Sequence, residues 1–231
     1  MNGWTMRMEK IGILWDLDGT IADSVDLYYA PYLRVFEKYG LGRLDCTEDE
    51  YRKKYFGSDV AVFLRDHIKG PISDERMKAM RWDYLQFADE YLRTAEHGVV
   101  TLIPGVARVL DDFYAKGYPM AIASTSWMPT IVHTLERLGY LEKFANISSG
   151  YLLPSKPAPD VFRIASEMIG IPAERCVVFE DSLAGMKGAK NAGMKCVGIA
   201  TSVSASQMAD ADIRLESYDD LRTGDVEALF A

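Results

Sequence analysis

Residues 11–20 carry the sequence IGILWDLDGT, an apolar run that ends at two aspartates, Asp16 and Asp18. The run 11–15 is short and apolar, which predicts a buried β-strand. Because side chains alternate along an extended chain, residues two apart point to the same side, so both carboxylates are expected to face one way. Gly19 then allows the backbone to turn sharply. This pattern predicts a strand that ends at a polar site.

Four later segments repeat the pattern of a short apolar run. The predicted strands are 11–15, 120–123, 144–147, 176–179 and 196–199. Helix-like stretches with one apolar face lie between them, and a glycine follows each. These stretches are 106–116, 130–138, 161–169 and 183–192. Strands that alternate with helices indicate βαβ units, so we expect an α/β fold with a Rossmann-like parallel sheet.

The segment 25–98 interrupts this alternation and contains no clear strand pattern. Apolar residues at helical spacing predict a helix near 28–39, which Pro31 is expected to kink or delay. Residues 47–50 read TEDE, the form of a capping box at a helix start, and 77–91 form a longer apolar stripe. We therefore predict an all-helical insertion at 25–98 in a core formed by 1–24 and 99–231.

The composition excludes several functional classes. The chain has 231 residues, of which 48% are apolar and 26% charged, and its formal net charge of −8 argues against a broad nucleic-acid surface. No run approaches the roughly 18 apolar residues of a membrane span, and the polar residues 1–10 lack a signal-peptide core. Three cysteines without a C-x-x-C motif indicate neither disulfides nor zinc. We expect a cytoplasmic protein, monomeric by default, that binds neither nucleic acid nor membrane.

The two aspartates at the end of the first strand are candidate metal ligands. Carboxylates as close as Asp16 and Asp18 repel each other unless a cation or a shared proton intervenes. A divalent metal such as Mg²⁺ prefers hard oxygen ligands of this kind. The competing interpretation, an ordinary Asp-Gly turn between two elements, is about as well supported by this motif alone.

Two further segments carry groups suited to binding phosphate. The Ser124 hydroxyl and the backbone N–H groups around Thr125 and Ser126 follow a predicted strand, where they can hold phosphate oxygens. The sequence Ser-Thr-Ser is also an ordinary helix start. Lys156, before two prolines, would neutralise the charges of a phosphate and a nucleophile, although most lysines are simply solvated.

A pair of acidic residues, Glu180 and Asp181, directly follows the apolar run 176–179. Acidic side chains at the end of a buried strand are costly unless they meet a cation. Asp181 is the better direct metal ligand, and Glu180 would bind directly or through water. Parallel strands present their carboxyl ends at one edge of the sheet, so this pair is expected close to Asp16 and Asp18.

The order of these motifs resembles that of the haloacid dehalogenase superfamily, in the branch of sugar-phosphate phosphatases and β-phosphoglucomutases. The resemblance extends from about Ile11 to Ser217 and includes the helical insertion after the first motif. It implies that Asp16 is the nucleophile and Asp18 the general acid and base.

The same resemblance implies the ligand sets. Mg²⁺ would be held by Asp16, by the backbone carbonyl of Asp18 and by Asp181, and phosphate by Ser124, Thr125 and Lys156. The insertion would be a cap that closes over the pocket, with hinges near 20–24 and 98–104.

Departures from the mutase pattern favour hydrolysis. Tyr28 occupies the place of a histidine usual in β-phosphoglucomutases, and Trp127-Met128 replace a Lys-Asn pair. We expect a Mg²⁺-dependent phosphatase acting on a small phosphorylated metabolite, a sugar or polyol phosphate. The alternatives are a phosphomutase and a domain that binds phosphorylated ligands without catalysis. Residues 55–59 are a candidate substrate-facing loop, or equally a plain turn between helices.

Overall fold

The computed structural model describes residues 10–95 and 98–231. Residues 1–9 of the predicted core and residues 96–97 of the predicted cap lie outside this part. The chain divides into two compact units. The first, here called the core unit, comprises Met1–Asp23 and Leu102–Ala231, and the second, the helical unit, comprises Ser24–Thr101.

The strands form a larger sheet and a small separate one. They are β1 (Gly12–Trp15), β2 (Ala22–Asp23), β3 (Thr101–Leu102), β4 (Met120–Ser124), β5 (Asn146–Ser149), β6 (Cys176–Glu180), β7 (Lys195–Ile199) and β8 (Ile213–Leu215). The larger sheet has the order β5-β4-β1-β6-β7-β8 with parallel neighbours throughout, and β2 pairs with β3. The chain winds outward from β1 to β5 and then returns to the other side of β1. Ligands of open α/β sheets bind where the winding direction changes, at the carboxyl ends of the strands, which here is the end of β1.

Helices cover both faces of this sheet. The α-helices in the described residues are α1 (Val25–Lys38), α2 (Glu48–Lys54), α3 (Val60–His67), α4 (Asp74–Thr94), α5 (Val106–Ala115), α6 (Met128–Leu138), α7 (Asp160–Ile169), α8 (Leu183–Asn191) and α9 (Thr223–Glu227). On one face α5 and α6 pack on Trp15, which stacks on Phe179 with ring centroids 4.0 Å apart. On the other face α7 and α8 pack on Leu14 and Val178. Two covered faces explain why the strands read as continuous apolar runs.

The Rossmann-like α/β architecture predicted from the sequence is confirmed, with differences in detail. The short strands β2 and β3 and the helix α9 were not predicted. The strand predicted at 144–147 lies at Asn146–Ser149, because the apolar residues before it belong to a turn and the strand itself ends in serines. The edge strand β8 was not predicted, since it has three residues and its central Arg214 is exposed.

The helical unit contains α1 to α4. Pro31 lies inside α1 and does not end it, and the capping box predicted at Thr47 and Glu50 is present at the start of α2. The candidate loop 55–59 connects α2 to α3, and the Asp59 side chain caps α3. Among the described helices, none combines the length and apolar character needed to cross a bilayer.

The three cysteines are unpaired and buried. Cys46 lies in the helical unit, whereas Cys176 and Cys196 lie in β6 and β7 of the core unit. Burial raises the pKa of each thiol, that of Cys176 to about 12. They are therefore packing residues, as the sequence predicts for Cys176 and Cys196.

Candidate active site

Asp16 lies immediately beyond β1 and is only 6% exposed. Its backbone N–H donates to the carbonyl of Phe179, 3.0 Å away, which continues the β1–β6 pairing by one residue. Asp16 follows Leu14 by two positions, and Glu180 follows Val178 by two. Because Leu14 and Val178 face the same side of the sheet, the alternation of the strands places both carboxylates on that side.

Lys156 joins these two carboxylates. Its Nζ donates to Asp16 Oδ1 at 2.5 Å and to Glu180 Oε1 at 2.9 Å, and its side chain is 8% exposed. The lysine comes from the connection between β5 and α7, and the peptide bond that joins it to Pro157 is cis. Two close ionic hydrogen bonds show that this residue is a buried ion-pair partner and not a solvated loop lysine.

Glu180 is held from the opposite side by the start of α8. Its Oε2 accepts the backbone N–H groups of Asp181 and Ser182 at 2.7 and 3.0 Å, and Oε1 accepts the Ser182 hydroxyl at 3.2 Å. Charge-assisted bonds of this kind fix a carboxylate in one orientation.

Asp181 is also buried and receives hydroxyl donors from two distant loops. Thr20 donates to Oδ1 at 3.2 Å, and Ser202 donates to Oδ2. The nearby Thr201 hydroxyl donates to the carbonyl of Gly19. The loop after β7 therefore holds both the turn after β1 and the acidic residue after β6.

Glycines leave the space that these carboxylates occupy. A Cβ at Gly185 would lie 1.6 Å from Glu180 Oε1, and a Cβ at Gly19 would lie 2.1 Å from Asp181 Oδ2. Gly19 also has a φ of +83°, a conformation that other residues rarely adopt. A side chain at either position would displace a carboxylate.

The electrostatics of the cluster are dominated by burial. Burial raises the pKa of Asp16 to about 8. The charge of Lys156 offsets only part of this rise, and the negative charge of Glu180 adds to it. Burial, with the charges of Glu180 and Asp16, also raises the pKa of Asp181 well above its usual range. Burial disfavours the charged form of Lys156, but its two carboxylate partners outweigh this and raise its pKa. Burial likewise opposes ionisation of Glu180, yet Lys156 and the Ser182 N–H hold its pKa below the usual value.

The donor set fits a hard divalent cation. Asp16, Glu180 and Asp181 each offer a carboxylate oxygen, and these atoms all lie within 4.8 Å of one another. If all three are ionised, Lys156 leaves an excess of two negative charges, which one divalent cation balances. Oxygen ligands without histidine or cysteine are typical of Mg²⁺.

The remaining predicted residues lie on the neighbouring strand end. Ser124 ends β4, is buried, and accepts the backbone N–H of Ser126 on its Oγ at 3.1 Å. Thr125 is exposed beside it. Asp18 is hydrogen-bonded to the Ser126 hydroxyl, which donates to Oδ2 at 2.6 Å. All seven predicted site residues thus lie at or beyond the carboxyl ends of β1, β4, β5 and β6.

Three hydroxyl residues of this site are not singled out by the sequence patterns. Ser126 enters the sequence argument only through its backbone N–H, and Thr201 and Ser202 do not enter it. Thr201 and Ser202 follow the predicted strand 196–199, so the rule that polar residues beyond strand ends meet at one edge is sufficient to identify them.

Comparison with known proteins agrees with the resemblance found in the sequence. The family model for haloacid dehalogenase-like hydrolases matches residues 13–199, which extend from β1 to β7. The crystal structure of a mutant CbbY from Rhodobacter sphaeroides in complex with xylulose-(1,5)bisphosphate matches with a TM-score of 0.78 and 27% identity. That match covers 92% of this chain and 96% of the other.

Curated relatives show the same pattern. Protein CbbY of Cereibacter sphaeroides is 31% identical over 227 residues, which cover 90% of this chain and 93% of that protein. Hexitol phosphatase A of Escherichia coli (strain K12) is 24% identical over 212 residues, or 91% of this chain and 92% of that protein. The chloroplastic protein SUPPRESSOR OF QUENCHING 1 of Arabidopsis thaliana is 30% identical over 226 residues, or 92% of this chain. The chain spans only 20% of that relative's length.

Proposed function

This chain belongs to the haloacid dehalogenase-like hydrolase family and is a phosphatase of that family, and we propose that it hydrolyses a small phosphomonoester through an aspartyl-phosphate intermediate. The observation that carries the proposal is the buried convergence of Asp16, Glu180 and Asp181 with Lys156 at the carboxyl ends of β1 and β6. The substrate class is a sugar or polyol phosphate. The names of the CbbY complex and of the hexitol phosphatase support this class.

The first half-reaction transfers the phosphoryl group to Asp16. A carboxylate oxygen of Asp16 attacks phosphorus, and the bond from phosphorus to the ester oxygen breaks. The leaving oxygen takes the bonding electron pair and receives a proton from the Asp18 carboxylic acid.

The second half-reaction returns Asp16 to its starting state. Asp18, now a carboxylate, accepts a proton from a water molecule whose oxygen attacks phosphorus. The bond from Asp16 to phosphorus breaks, and inorganic phosphate leaves. One residue thus serves as acid and then as base.

The phosphoryl oxygens would be held by Lys156, by the Ser124 hydroxyl and by the backbone and side chain of Thr125. The hydrogen bond from Lys156 Nζ to Asp16 supports this role. Preorganised donors around developing charge are a large contribution to catalysis of phosphoryl transfer.

The residues suited to holding Mg²⁺ are Asp16, the backbone carbonyl of Asp18, Asp181, and Glu180 directly or through water. A bound Mg²⁺ would neutralise charge on the phosphoryl oxygens. The helical unit would be the cap domain that the resemblance implies.

The test is phosphate release from a panel of sugar, polyol and other metabolite phosphates, with Mg²⁺ and with a chelator. We expect turnover that disappears on chelation and returns when Mg²⁺ is added. Asp16→Asn keeps the size of the side chain but removes the nucleophile, so turnover should fall by about 10⁴-fold or more. Asp220→Asn, at an exposed aspartate of the core unit, is the matched control. Full activity in Asp16→Asn would overturn the covalent mechanism.

The same panel separates the alternatives. A phosphomutase would isomerise a hexose 1-phosphate in the presence of a bisphosphate primer without releasing free phosphate. A non-catalytic domain would bind phosphorylated ligands and hydrolyse none of them. Either result would replace the present proposal.

A further inference from the structure

The hydroxyl of Ser126 connects the loop after β4 to Asp18. Its Oγ donates to Asp18 Oδ2 at 2.6 Å, although the two residues lie 108 positions apart in the chain. A donor at this distance from a carboxylate oxygen makes one of the stronger side-chain hydrogen bonds. No role has so far been assigned to the Ser126 side chain.

The backbone of Ser126 is itself fixed from two sides. Its N–H donates to Ser124 Oγ at 3.1 Å, and its carbonyl accepts the Ser149 hydroxyl at 2.7 Å. Ser124 and Ser149 are paired in register at the ends of β4 and β5.

Gly150 makes further contacts with the same loop. Its N–H donates to the Ser124 carbonyl at 2.7 Å, and a Cβ there would lie 3.4 Å from Cα of Thr125. The backbone of Ser126 is therefore held by the ends of β4 and β5.

We propose that Ser126 is a positioning residue that fixes the carboxyl group of Asp18 for proton transfer. This inference rests on the proposed function, in which Asp18 is the general acid and base. An aspartate has two side-chain torsions, and a hydrogen bond to Oδ2 restricts both. Fixing Oδ2 also sets the direction of Oδ1, the atom that would give a proton to the leaving oxygen and later take one from water.

The positioning matters because proton transfer depends steeply on geometry. A displacement of about 1 Å in a reacting group can cost about 100-fold in rate. Ser126 itself forms and breaks no covalent bond in either half-reaction. Its removal should therefore slow the steps that use Asp18 and leave ground-state substrate binding unchanged.

The experiment compares Ser126→Ala with Ser126→Thr, which keeps the hydroxyl. On an alkyl phosphomonoester, we expect Ser126→Ala to lower kcat by about 10- to 100-fold with less than about a 2-fold change in KM. Ser126→Thr should recover most of the loss. On 4-nitrophenyl phosphate, pre-steady-state formation of the phosphoenzyme should fall far less, because a phenolate leaves without needing a proton.

A double-mutant cycle with Asp18→Asn makes the test specific. Because Ser126 acts through Asp18, adding Ser126→Ala to Asp18→Asn should change the residual rate with 4-nitrophenyl phosphate by less than about 2-fold. Additive losses in the cycle, a loss confined to KM, or an unchanged kcat in Ser126→Ala would each overturn the proposal. A loss confined to KM would instead mean that Ser126 binds the substrate.

A crystal structure of Ser126→Ala supplies a readout that does not depend on activity. We expect the Asp18 carboxyl group to move or to adopt several conformers, while Asp16 keeps its contact with Lys156. An Asp18 side chain in its original position would contradict the positioning role even if the protein proved to have no phosphatase activity. Wild-type inactivity on every phosphate would contradict the proposed function separately.

Discussion

The two units of the chain place their charged side chains differently. In the core unit, Lys156 and its partners Asp16 and Glu180 have side chains between 1% and 9% exposed. In the helical unit, ion pairs such as Lys54–Asp66, with 68% and 45% exposure, and Arg34–Glu90, with 45% and 48%, lie at the surface. Burying charge is costly unless every group is paired, so the buried charges of the core unit mark the candidate active site.

The interior of the helical unit is aromatic instead of ionic. Tyr32 packs against Phe63 with ring centroids 3.9 Å apart and against Tyr84 at 4.4 Å. The Tyr84 hydroxyl donates to the carbonyl of Tyr28 at 2.7 Å. Burial raises the pKa of both Tyr32 and Tyr84, so these hydroxyls stay neutral at physiological pH. The contrast teaches that one unit holds buried charge in place, while the other is stabilised by aromatic packing.

The largest expected difference comes from removing one lysine in each unit. Lys156→Met leaves two buried carboxylates without their cation, so we expect a loss of about 3–5 kcal/mol in the free energy of unfolding and loss of turnover. Lys54→Met removes a half-exposed, solvent-screened pair and should change stability much less and turnover not at all. Urea denaturation and phosphate release measure both effects. Similar losses in the two variants would contradict the contrast between the units.

An intermediate effect should separate two glycines. Gly185→Ala places a methyl group against Glu180, which Lys156 holds in position, so we expect a stability loss of about 1–3 kcal/mol and at least about a 10-fold lower kcat. Thermal unfolding and phosphate release report the two changes.

Gly70→Ala in the helical unit is the matched control. Gly70 has a φ of +94°, and no other atom would lie within 4 Å of a Cβ at this position, so alanine adds backbone strain of about 1–2 kcal/mol without a collision. Its kcat should be unchanged. A lower kcat in Gly70→Ala would show that backbone strain alone reduces activity. A normal kcat in Gly185→Ala would show that the position of Glu180 does not decide activity.

The smallest effect concerns Asp212, a surface carboxylate of the core unit. Partial burial opposes its ionisation, but the Lys190 ammonium at 2.6 Å and the Cys196 N–H at 2.8 Å hold its pKa below the usual value. The stabilisation is therefore present above the unfolded-state pKa, about 3.9 for an aspartate, and is lost as the pH falls through the lower folded-state value. Asp212→Asn should lose less than about 1 kcal/mol at pH 7 because water screens the pair.

This prediction is measured as the difference in urea midpoint between wild type and Asp212→Asn. The difference should shrink below about pH 4, where the Asp212 carboxylate begins to be protonated in the unfolded chain. A difference that stays constant between about pH 7 and about pH 3 would show that the charge of Asp212 contributes nothing.

The sequence predicts the sheet of the core unit well because two signals coincide there, an apolar run of strand length and the polar residues that follow it. Apolar runs of strand length mark β1, β4, β6 and β7, and each is followed by polar residues that the parallel sheet brings to one edge. The position of β5 is less well predicted because Ser148 and Ser149 are polar residues inside the strand, and a hydrophobicity pattern ends before them.

The details of the site are less predictable from sequence. That Asp16 and Glu180 share one lysine depends on the path of the chain between β5 and α7, which no local pattern encodes. The Ser202 contact with Asp181 likewise joins segments 21 residues apart through the tertiary fold.

For the helical unit, the sequence predicts that the segment is helical but not where every helix begins and ends. The helix α3 lacks a long apolar stripe, and its start is fixed by the Asp59 side chain, which carries no hydrophobic signal. The stripe at 77–91 is correct in position, although α4 buries Leu85 and Leu92 as well.

The buried thiols allow local unfolding of the protein to be measured by alkylation. Since the thiolate is the species that alkylating reagents attack, a sequestered cysteine with a raised pKa reacts only when its surroundings come apart. Alkylation of Cys176 and Cys196, which are fully buried in β6 and β7, would therefore report opening of the sheet. Mass spectrometry of the alkylated peptides then follows this opening in the unmodified chain, with no added label.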